Sequence, residues 1–217
     1  MAKSKPHVIL SAAISLDGKI ATSTGDSKLS SRADIIRVHK LRSKVDAILI
    51  GQNTLQRDNP TLSVRYTKGK NPIRVILDSR GKISSNSKII KTCNKIPTII
   101  ATSKKISKKN LQRLRQHPLE IIIVGENKVN FKQLLKQLEK RNVKKLLVEG
   151  GGIVNWELIK QGLFDEIIVT ITPYLLGGKT SVNFLQGIGF SKISNSTKLK
   201  LKNVKRQKNE LVLHYSK

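Results

Sequence analysis

Between residues 97 and 171 the chain alternates short apolar runs with longer amphipathic ones, and this alternation restricts the fold more than any other feature of the sequence. The apolar runs 97–101, 120–124, 144–148 and 166–171 are rich in Ile, Leu and Val and too short for buried helices, which marks strands covered on both faces. Between them, 107–116, 130–141 and 154–161 repeat apolar residues at helical spacing. In 130–141, Phe131, Leu134, Leu135 and Leu138 share one face. Strands separated by single helices predict βαβ units, and so a mostly parallel sheet flanked by helices.

The same pattern extends upstream. Residues 7–14 read as a first strand, and 45–50 and 73–77 as two more. The last of these is bracketed by Pro72 and the turn-prone Asp78-Ser79-Arg80-Gly81. Residues 31–44 read as a helix: Ser31 with Asp34 three positions on is an acidic variant of the capping box, and Ile35, Val38, Leu41 and Arg42 follow at helical spacing. After Gly177-Gly178 the helical period stops. Leu199 and Leu201 alternate with Lys198, Lys200 and Lys202, and 211–215 can pair with them across Gln207-Lys208-Asn209, so the chain is expected to close in an antiparallel hairpin. No internal repeat or low-complexity linker interrupts residues 1–217, and a single α/β domain is expected.

A chain of 217 residues with 38% hydrophobic residues can bury a core without staples, which excludes a disordered basic tail. No window approaches the roughly 18–20 apolar residues of a membrane span. The start, residues 1–6, runs into only eight fairly apolar residues with no small-residue cleavage pattern, so no signal peptide is expected. One cysteine, Cys93, permits no internal disulfide, and a cytoplasmic location is expected. Lys plus Arg is 42 against 14 Asp plus Glu, a formal net charge of +28. Such charge suits nucleic acid, but it also suits a solvated surface that attracts anionic small molecules. The basic residues run from Lys3 to Lys217 rather than gathering in one arm, and aromatics for base stacking are only 4%, so nucleic acid is the weaker reading.

Three segments carry chemistry that a bare scaffold does not need. Glu149-Gly150-Gly151-Gly152 lies between a strand and a helix, where glycines let a backbone approach a phosphate and a helix start offers free N–H groups. A tight turn without a ligand is the competing reading. Ser15-Leu16-Asp17-Gly18-Lys19 follows the first strand and reads as a turn, with Asp17 and Lys19 at a strand's carboxyl end. Residues 54–65 form a polar loop with hydroxyl, carboxylate and guanidinium groups, or simply an irregular connection turned by Asn59-Pro60. His39 and Arg42 share a helix face, each open to a structural reading. No G-x-G-x-x-G occurs, and Gly178-Lys179-Thr180 lacks the first glycine of a P-loop because Pro173 stands there. His7, His39, His117 and His214 are scattered without metal-ligand spacing, so no metal is expected.

In this order, Ser15-Leu16-Asp17-Gly18-Lys19, His39-Lys40-Leu41-Arg42, Asp46-Ala47-Ile48, the set Thr54, Asp58, Pro60, Leu62, Val64 and Arg65, Asp78-Ser79, and Glu149-Gly150-Gly151-Gly152 resemble the riboflavin-pathway reductases. That family includes the reductase domain of the bacterial bifunctional deaminase–reductase and the stand-alone archaeal and fungal reductases. The resemblance spans nearly the whole chain, and the 54–65 pattern is its most specific part. With no zinc-binding deaminase motif, the chain resembles the stand-alone type. One position departs: the bacterial type often carries an aromatic residue where Leu29 stands.

The resemblance implies a dihydrofolate-reductase-like fold, usually as a homodimer, and NADPH-dependent reduction of 2,5-diamino-6-ribosylamino-4(3H)-pyrimidinone 5′-phosphate, with NADH possible. It matches Thr54, Asp58, Asp78, Ser79 and Gly150, Gly151 and Gly152 to cofactor contacts. Ser27, Arg42, Leu62, Arg65 and Glu149 match substrate contacts. It leaves the catalytic proton donor unknown. Arg80 or the Lys104-Lys105 pair is expected to read the 2′-phosphate of NADPH, because each follows a strand that should border the adenosine end. The rival readings are a related oxidoreductase acting on another substrate and a basic nucleic-acid-binding α/β protein.

Overall fold

A computed structural model describes residues 5–217, so the first four residues of the amino-terminal stretch, Lys3 among them, lie outside the described residues. In chain order the elements are β1 (His7–Ile14), β2 (Lys19–Ala21), α1 (Arg32–Arg42), β3 (Ala47–Gly51), α2 (Gln52–Asp58), β4 (Ile73–Leu77), α3 (Lys88–Lys91), β5 (Thr98–Thr102), α4 (Lys108–Arg115), β6 (Glu120–Ile123), α5 (Phe131–Glu139), β7 (Lys145–Val148), α6 (Gly152–Lys160), β8 (Glu166–Ile171), β9 (Val182–Asn183), a 3-10 turn at Ile193–Asn195, β10 (Lys200–Gln207) and β11 (Glu210–Ser216). They divide into two compact units. One comprises His39–Leu147 with residues 5–7; the other comprises Val8–Val38 with Val148–Lys217.

The first unit carries the strand order β7-β3-β4-β5-β6. β3 pairs parallel with β4, β4 with β5 and β5 with β6, in registers such as Leu49↔Val75, Ile76↔Ile100 and Ala101↔Ile122. β3 and β5 are buried along their whole length, which is why they read as unbroken apolar runs. The helices start where small polar side chains cap them: Ser107 accepts from the Asn110 N–H, and Asn130 from the Gln133 N–H. α5 buries Phe131, Leu134, Leu135 and Leu138, each worth roughly 1.5–3 kcal/mol over exposure.

One reading of this unit is corrected, and one short helix was not foreseen. The first half of the 54–65 segment is not loop but the helix α2, which ends at Asn59 in the left-handed region. It escapes a periodicity search because one buried side chain, Leu55, anchors it. α3 is four residues long, too short to leave a pattern.

In the second unit the strand order is β10-β11-β8-β1. β1 and β8 are parallel, whereas β8 with β11 and β11 with β10 are antiparallel, so the closing hairpin forms as expected. β10 is the edge strand, exposed almost throughout, and carries Lys200, Lys202, Lys205 and Arg206. Charges on an edge strand oppose edge-to-edge pairing, which gives part of the basicity a physical role. β2 and β9 form a separate two-stranded ribbon too short to read from sequence. The capping-box reading at α1 is half right: Ser31 Oγ accepts from the Asp34 N–H at 3.2 Å, but the Asp34 side chain does not reach back. It is buried and accepts instead from Ser30, Arg37 and Thr170, fastening α1 to β8.

Candidate active site

In parallel α/β folds, ligand sites form beyond the carboxyl ends of the strands. In the first unit the segments after β4 and β5 and before α5 are tied together there. The Asp78 carboxylate is buried and accepts from the backbone N–H groups of Ile83 at 2.6 Å and Arg80 at 3.3 Å, so it builds the turn that follows β4. The Ser79 carbonyl accepts from Ser103 Oγ at 2.8 Å and Thr102 Oγ1 at 3.0 Å, and Ser79 Oγ accepts from the Val129 N–H at 3.2 Å. Asn110 and Arg113 on α4 hold the carbonyls of Arg80 and Gly81. This frame leaves the side chains of Arg80, Lys104 and Lys105 exposed; Lys104 pairs with Glu126 at 2.8 Å.

The segment leading to Arg65 has no regular structure of its own, and side chains from elsewhere in the unit fix its backbone residue by residue. Arg74 Nη1 donates to the Thr61 carbonyl at 3.3 Å, and Arg42 Nη1 to the Ser63 carbonyl at 3.2 Å. Asn71 Oδ1 accepts from the Val64 N–H at 2.7 Å, and His39 Nδ1 from the Arg65 N–H at 3.0 Å. Leu62, between the first two clamps, sits at φ +52 with its side chain buried, a left-handed conformation that an unsupported leucine avoids. Thr54 is half-buried on α2. Asp58 is exposed at the end of that helix, 3.2 Å from Arg57 Nε. The Arg65 guanidinium is exposed and lies over the Tyr66 ring, 5.8 Å from its centroid.

Arg74 itself is fully buried. Its guanidinium reaches five acceptors: Thr98 Oγ1, Thr92 Oγ1 and the carbonyls of Thr61, Ile89 and Ile96. Burial pulls its pKa down to about 10, so it remains a cation at neutral pH.

In the second unit, the turn after β1 is organised by Asp17. Its carboxylate accepts from Ser15 Oγ at 2.7 Å and from the backbone N–H groups of Leu176 at 3.0 Å and Gly177 at 2.8 Å. The Ser15 hydroxyl and the Leu176 amide lead in holding its pKa down, to about 2. Lys19 Nζ donates to Asn183 Oδ1 at 2.7 Å, linking β2 to β9. Both residues that the sequence set at this strand end are thus engaged within the turn and ribbon. Ser27 is half-buried, in the segment before α1, and its carbonyl accepts from the Leu29 N–H at 2.8 Å.

Glu149 is half-buried at the end of β7, and the three glycines serve different ends. Gly150 has φ +89, which favours glycine, and the Gly150–Gly151 peptide is cis. Gly151 is the N-cap of α6 at φ −77, ψ −168, with no side chain capping the helix. At Gly152 a Cβ would run into the Asn183 carbonyl oxygen, because the 183–187 segment crosses the start of α6. The Gln186 N–H donates to the Gly152 carbonyl at 3.1 Å and Asn155 Nδ2 to the Phe184 carbonyl at 3.1 Å.

Sequence reasoning left Asn71, Tyr66 and Arg74 unremarked and His39 without a role. Arg74 carried a readable signal, a charge in the middle of an apolar strand, where arginine stays only if its donors are satisfied. Among the described residues no group of three His, Cys, Asp or Glu side chains is arranged to hold a metal ion, and no helix is long and apolar enough to cross a membrane.

The family described as RibD C-terminal domain matches residues 6–213. The chain is 37% identical over 203 residues to the 2,5-diamino-6-ribosylamino-4(3H)-pyrimidinone 5′-phosphate reductase of Aquifex aeolicus, covering 91% of this chain and 90% of that one. It is 34% identical over 215 residues to the reductase of the same name from Methanothermobacter thermautotrophicus, covering 98% of each. Among solved structures it is similar to a diaminohydroxyphosphoribosylaminopyrimidine deaminase/5-amino-6-(5-phosphoribosylamino)uracil reductase from Thermotoga maritima, with TM-score 0.80 and 28% identity. That match covers 99% of this chain but only 57% of the longer protein. A dihydrofolate reductase from Enterococcus faecalis shares the fold alone, with TM-score 0.54 and 11% identity over 97% of this chain and 95% of that one.

Proposed function

The chain belongs to the RibD C-terminal domain family, and we propose that it reduces the ribosyl group of 2,5-diamino-6-ribosylamino-4(3H)-pyrimidinone 5′-phosphate to ribityl, with NADPH as the preferred reductant. The observation that carries this reading is the near end-to-end relationship to two reductases of that name, at 37% and 34% identity. The basic chain, with its +28 charge, suits a substrate and a cofactor that are both anionic.

The residues present fit a phosphate-rich nicotinamide cofactor. α6 begins at a glycine with no side-chain cap, so no side chain takes up its first N–H groups, the groups a phosphate would use. In the other unit, Arg80, Lys104 and Lys105 offer exposed cations beside a rigid turn. In this reading Gly150, Gly151 and Gly152 accommodate the pyrophosphate. Thr54, Asp58 and Ser79 contact the cofactor, and Asp78 acts by fixing the turn that presents Ser79. Arg80 with Lys104 or Lys105 selects NADPH over NADH through the 2′-phosphate. When bound, such a cofactor supplies the hydride.

The protein's share is orientation and charge. The ribosylamine opens to an imine at the first sugar carbon, which becomes the hydride acceptor. Arg65 and Arg42 take the 5′-phosphate, since guanidinium groups meet phosphate oxygens in pairs. Glu149 accepts hydrogen bonds from the ring amino groups or the ribose hydroxyls, Ser27 adds a hydroxyl, and Leu62 holds the loop's shape. The active form is a homodimer, which light scattering tests against the 24.2 kDa monomer. The deciding assay is the loss of NADPH absorbance with the diaminopyrimidinone phosphate. No oxidation above the substrate-free rate in a folded preparation overturns the reading.

A further inference from the structure

We infer that His39 is the positioning residue for Arg65, holding both its backbone and its guanidinium in place for the substrate phosphate. The inference rests on the function proposed above. His39 lies in the last turn of α1 and is only 2% exposed. A polar ring is costly to bury unless its nitrogens are used. Nδ1 accepts from the Arg65 N–H at 3.0 Å, which requires that nitrogen to be unprotonated and puts the proton of the neutral ring on Nε2.

The same imidazole reaches the Arg65 side chain by a second route. The Tyr66 ring meets His39 edge-on, with centroids 4.8 Å apart and planes at 87°. The Arg65 guanidinium lies over that Tyr66 ring. Thus the main chain of Arg65 is held directly, and its charged head through one intervening ring, a cation–π contact. This matters because Arg65 is exposed and core packing does not select its rotamer. A long flexible side chain loses much rotamer freedom on binding a ligand, and one held beforehand loses less. Arg74, Arg42 and Asn71 clamp the loop at Thr61, Ser63 and Val64, so removing His39 releases Arg65 while the rest of the loop stays fastened.

Two variants separate the contacts. His39→Phe keeps a ring for Tyr66 and loses the acceptor. His39→Asn keeps an acceptor close to the Nδ1 position and loses the ring. His39→Phe is expected to raise KM for the phosphorylated substrate about tenfold with kcat within about threefold of wild type, and to leave KM for the dephosphorylated nucleoside unchanged. His39→Asn should recover part of the loss, through the amide contact, and the part not recovered measures the route through Tyr66; full recovery overturns that second route. A purely structural role would lower turnover on both compounds alike and give no recovery with Asn; either result overturns the proposal.

Hydrogen exchange at the Arg65 amide gives a reading independent of catalysis. The amide should be protected in the wild type and in His39→Asn and exchange faster in His39→Phe. Equal exchange in all three overturns the clamp whatever the enzyme reduces. A wild type with a protected Arg65 amide and no activity on the pyrimidinone phosphate instead overturns the functional reading and upholds the clamp. Should His39→Phe fail to fold, an Arg65 amide unprotected in the wild type, or in a folded His39→Asn, overturns the proposal by itself.

Discussion

Glu210 holds Ser31 at two points: one carboxylate oxygen accepts from the Ser31 backbone N–H at 2.9 Å and the other from its hydroxyl at 2.7 Å. The start of α1 is thus fixed from β11, far along the chain, with Glu210 only 4% exposed. Glu210→Ala leaves the Ser31 N–H and hydroxyl without this acceptor and should destabilise the protein by about 1–3 kcal/mol. Glu210→Gln, which keeps one acceptor oxygen, should cost less. Urea unfolding midpoints check the order, and a Gln variant weaker than the Ala variant contradicts it.

Arg74 is a buried cation satisfied by neutral acceptors, with no carboxylate among the five it reaches. A lysine carries three donors on one atom and cannot reach acceptors spread around a planar fork. Arg74→Lys should therefore lose about 2 kcal/mol or more, and Arg74→Ala more again because a cavity is added. Denaturant midpoints unchanged in Arg74→Lys would remove the network from the account of stability.

Much of the fold was legible in the chain because the inner strands β3, β4 and β5 are buried on both faces. The runs 45–50, 73–77 and 97–101 announce Ala47–Gly51, Ile73–Leu77 and Thr98–Thr102 within two residues. The leucines of α5 gave its buried face, and Ser107 and Asn130 stand at the expected starts of α4 and α5. The site was legible only as an ordered set of motifs. What escaped was interaction between distant residues: Glu210 with the Ser31 amide, Arg74 with the Ile89 and Ile96 carbonyls, His39 with the Arg65 amide. Hydrogen bonds to backbone groups impose no pairing of residue types, so a single sequence carries no trace of them. The α2 helix escaped because Leu55 alone cannot establish a period.

Asp17 makes the turn after β1 sensitive to acid. Its pKa lies near 2, below the ordinary 3.8, chiefly through the Ser15 hydroxyl and the Leu176 amide. A lowered folded value means the charged form favours the folded turn. This contribution is complete above about pH 4 and is lost as pH falls through 2. The Leu176 and Gly177 amide resonances should titrate together with that midpoint. Asp17→Asn should abolish the transition, and a midpoint near 4 in the wild type would exclude the bonded carboxylate.

Gly151 separates ligand approach from backbone strain. At φ −77 and ψ −168 its backbone is open to any residue, unlike Gly150 at φ +89. Gly151→Val, in a variant whose circular dichroism shows it folded, should weaken NADPH binding at least tenfold, about 1.4 kcal/mol or more. Unaltered affinity in the folded variant would move the pyrophosphate away from this turn.

Arg65 distinguishes a phosphate contact from a structural one. A phosphate monoester carries nearly two negative charges at neutral pH, and a charge-assisted hydrogen bond to it is worth roughly 1.5–3 kcal/mol. Arg65→Ala should accordingly lower kcat/KM for the phosphorylated substrate by about tenfold or more, while NADPH affinity barely changes. Arg65→Lys should rescue only in part, because an ammonium lacks the planar fork. The dephosphorylated nucleoside should be a poor substrate for the wild type, and the gap between the two compounds should narrow in Arg65→Ala. The side chain's setting favours this outcome: its guanidinium is exposed over Tyr66, and its backbone is already held by His39, so truncation beyond Cβ leaves the loop clamped. Steady-state kinetics on both compounds with both variants decide the matter. Equal losses on the two compounds would assign Arg65 to the loop's architecture and the phosphate to other residues.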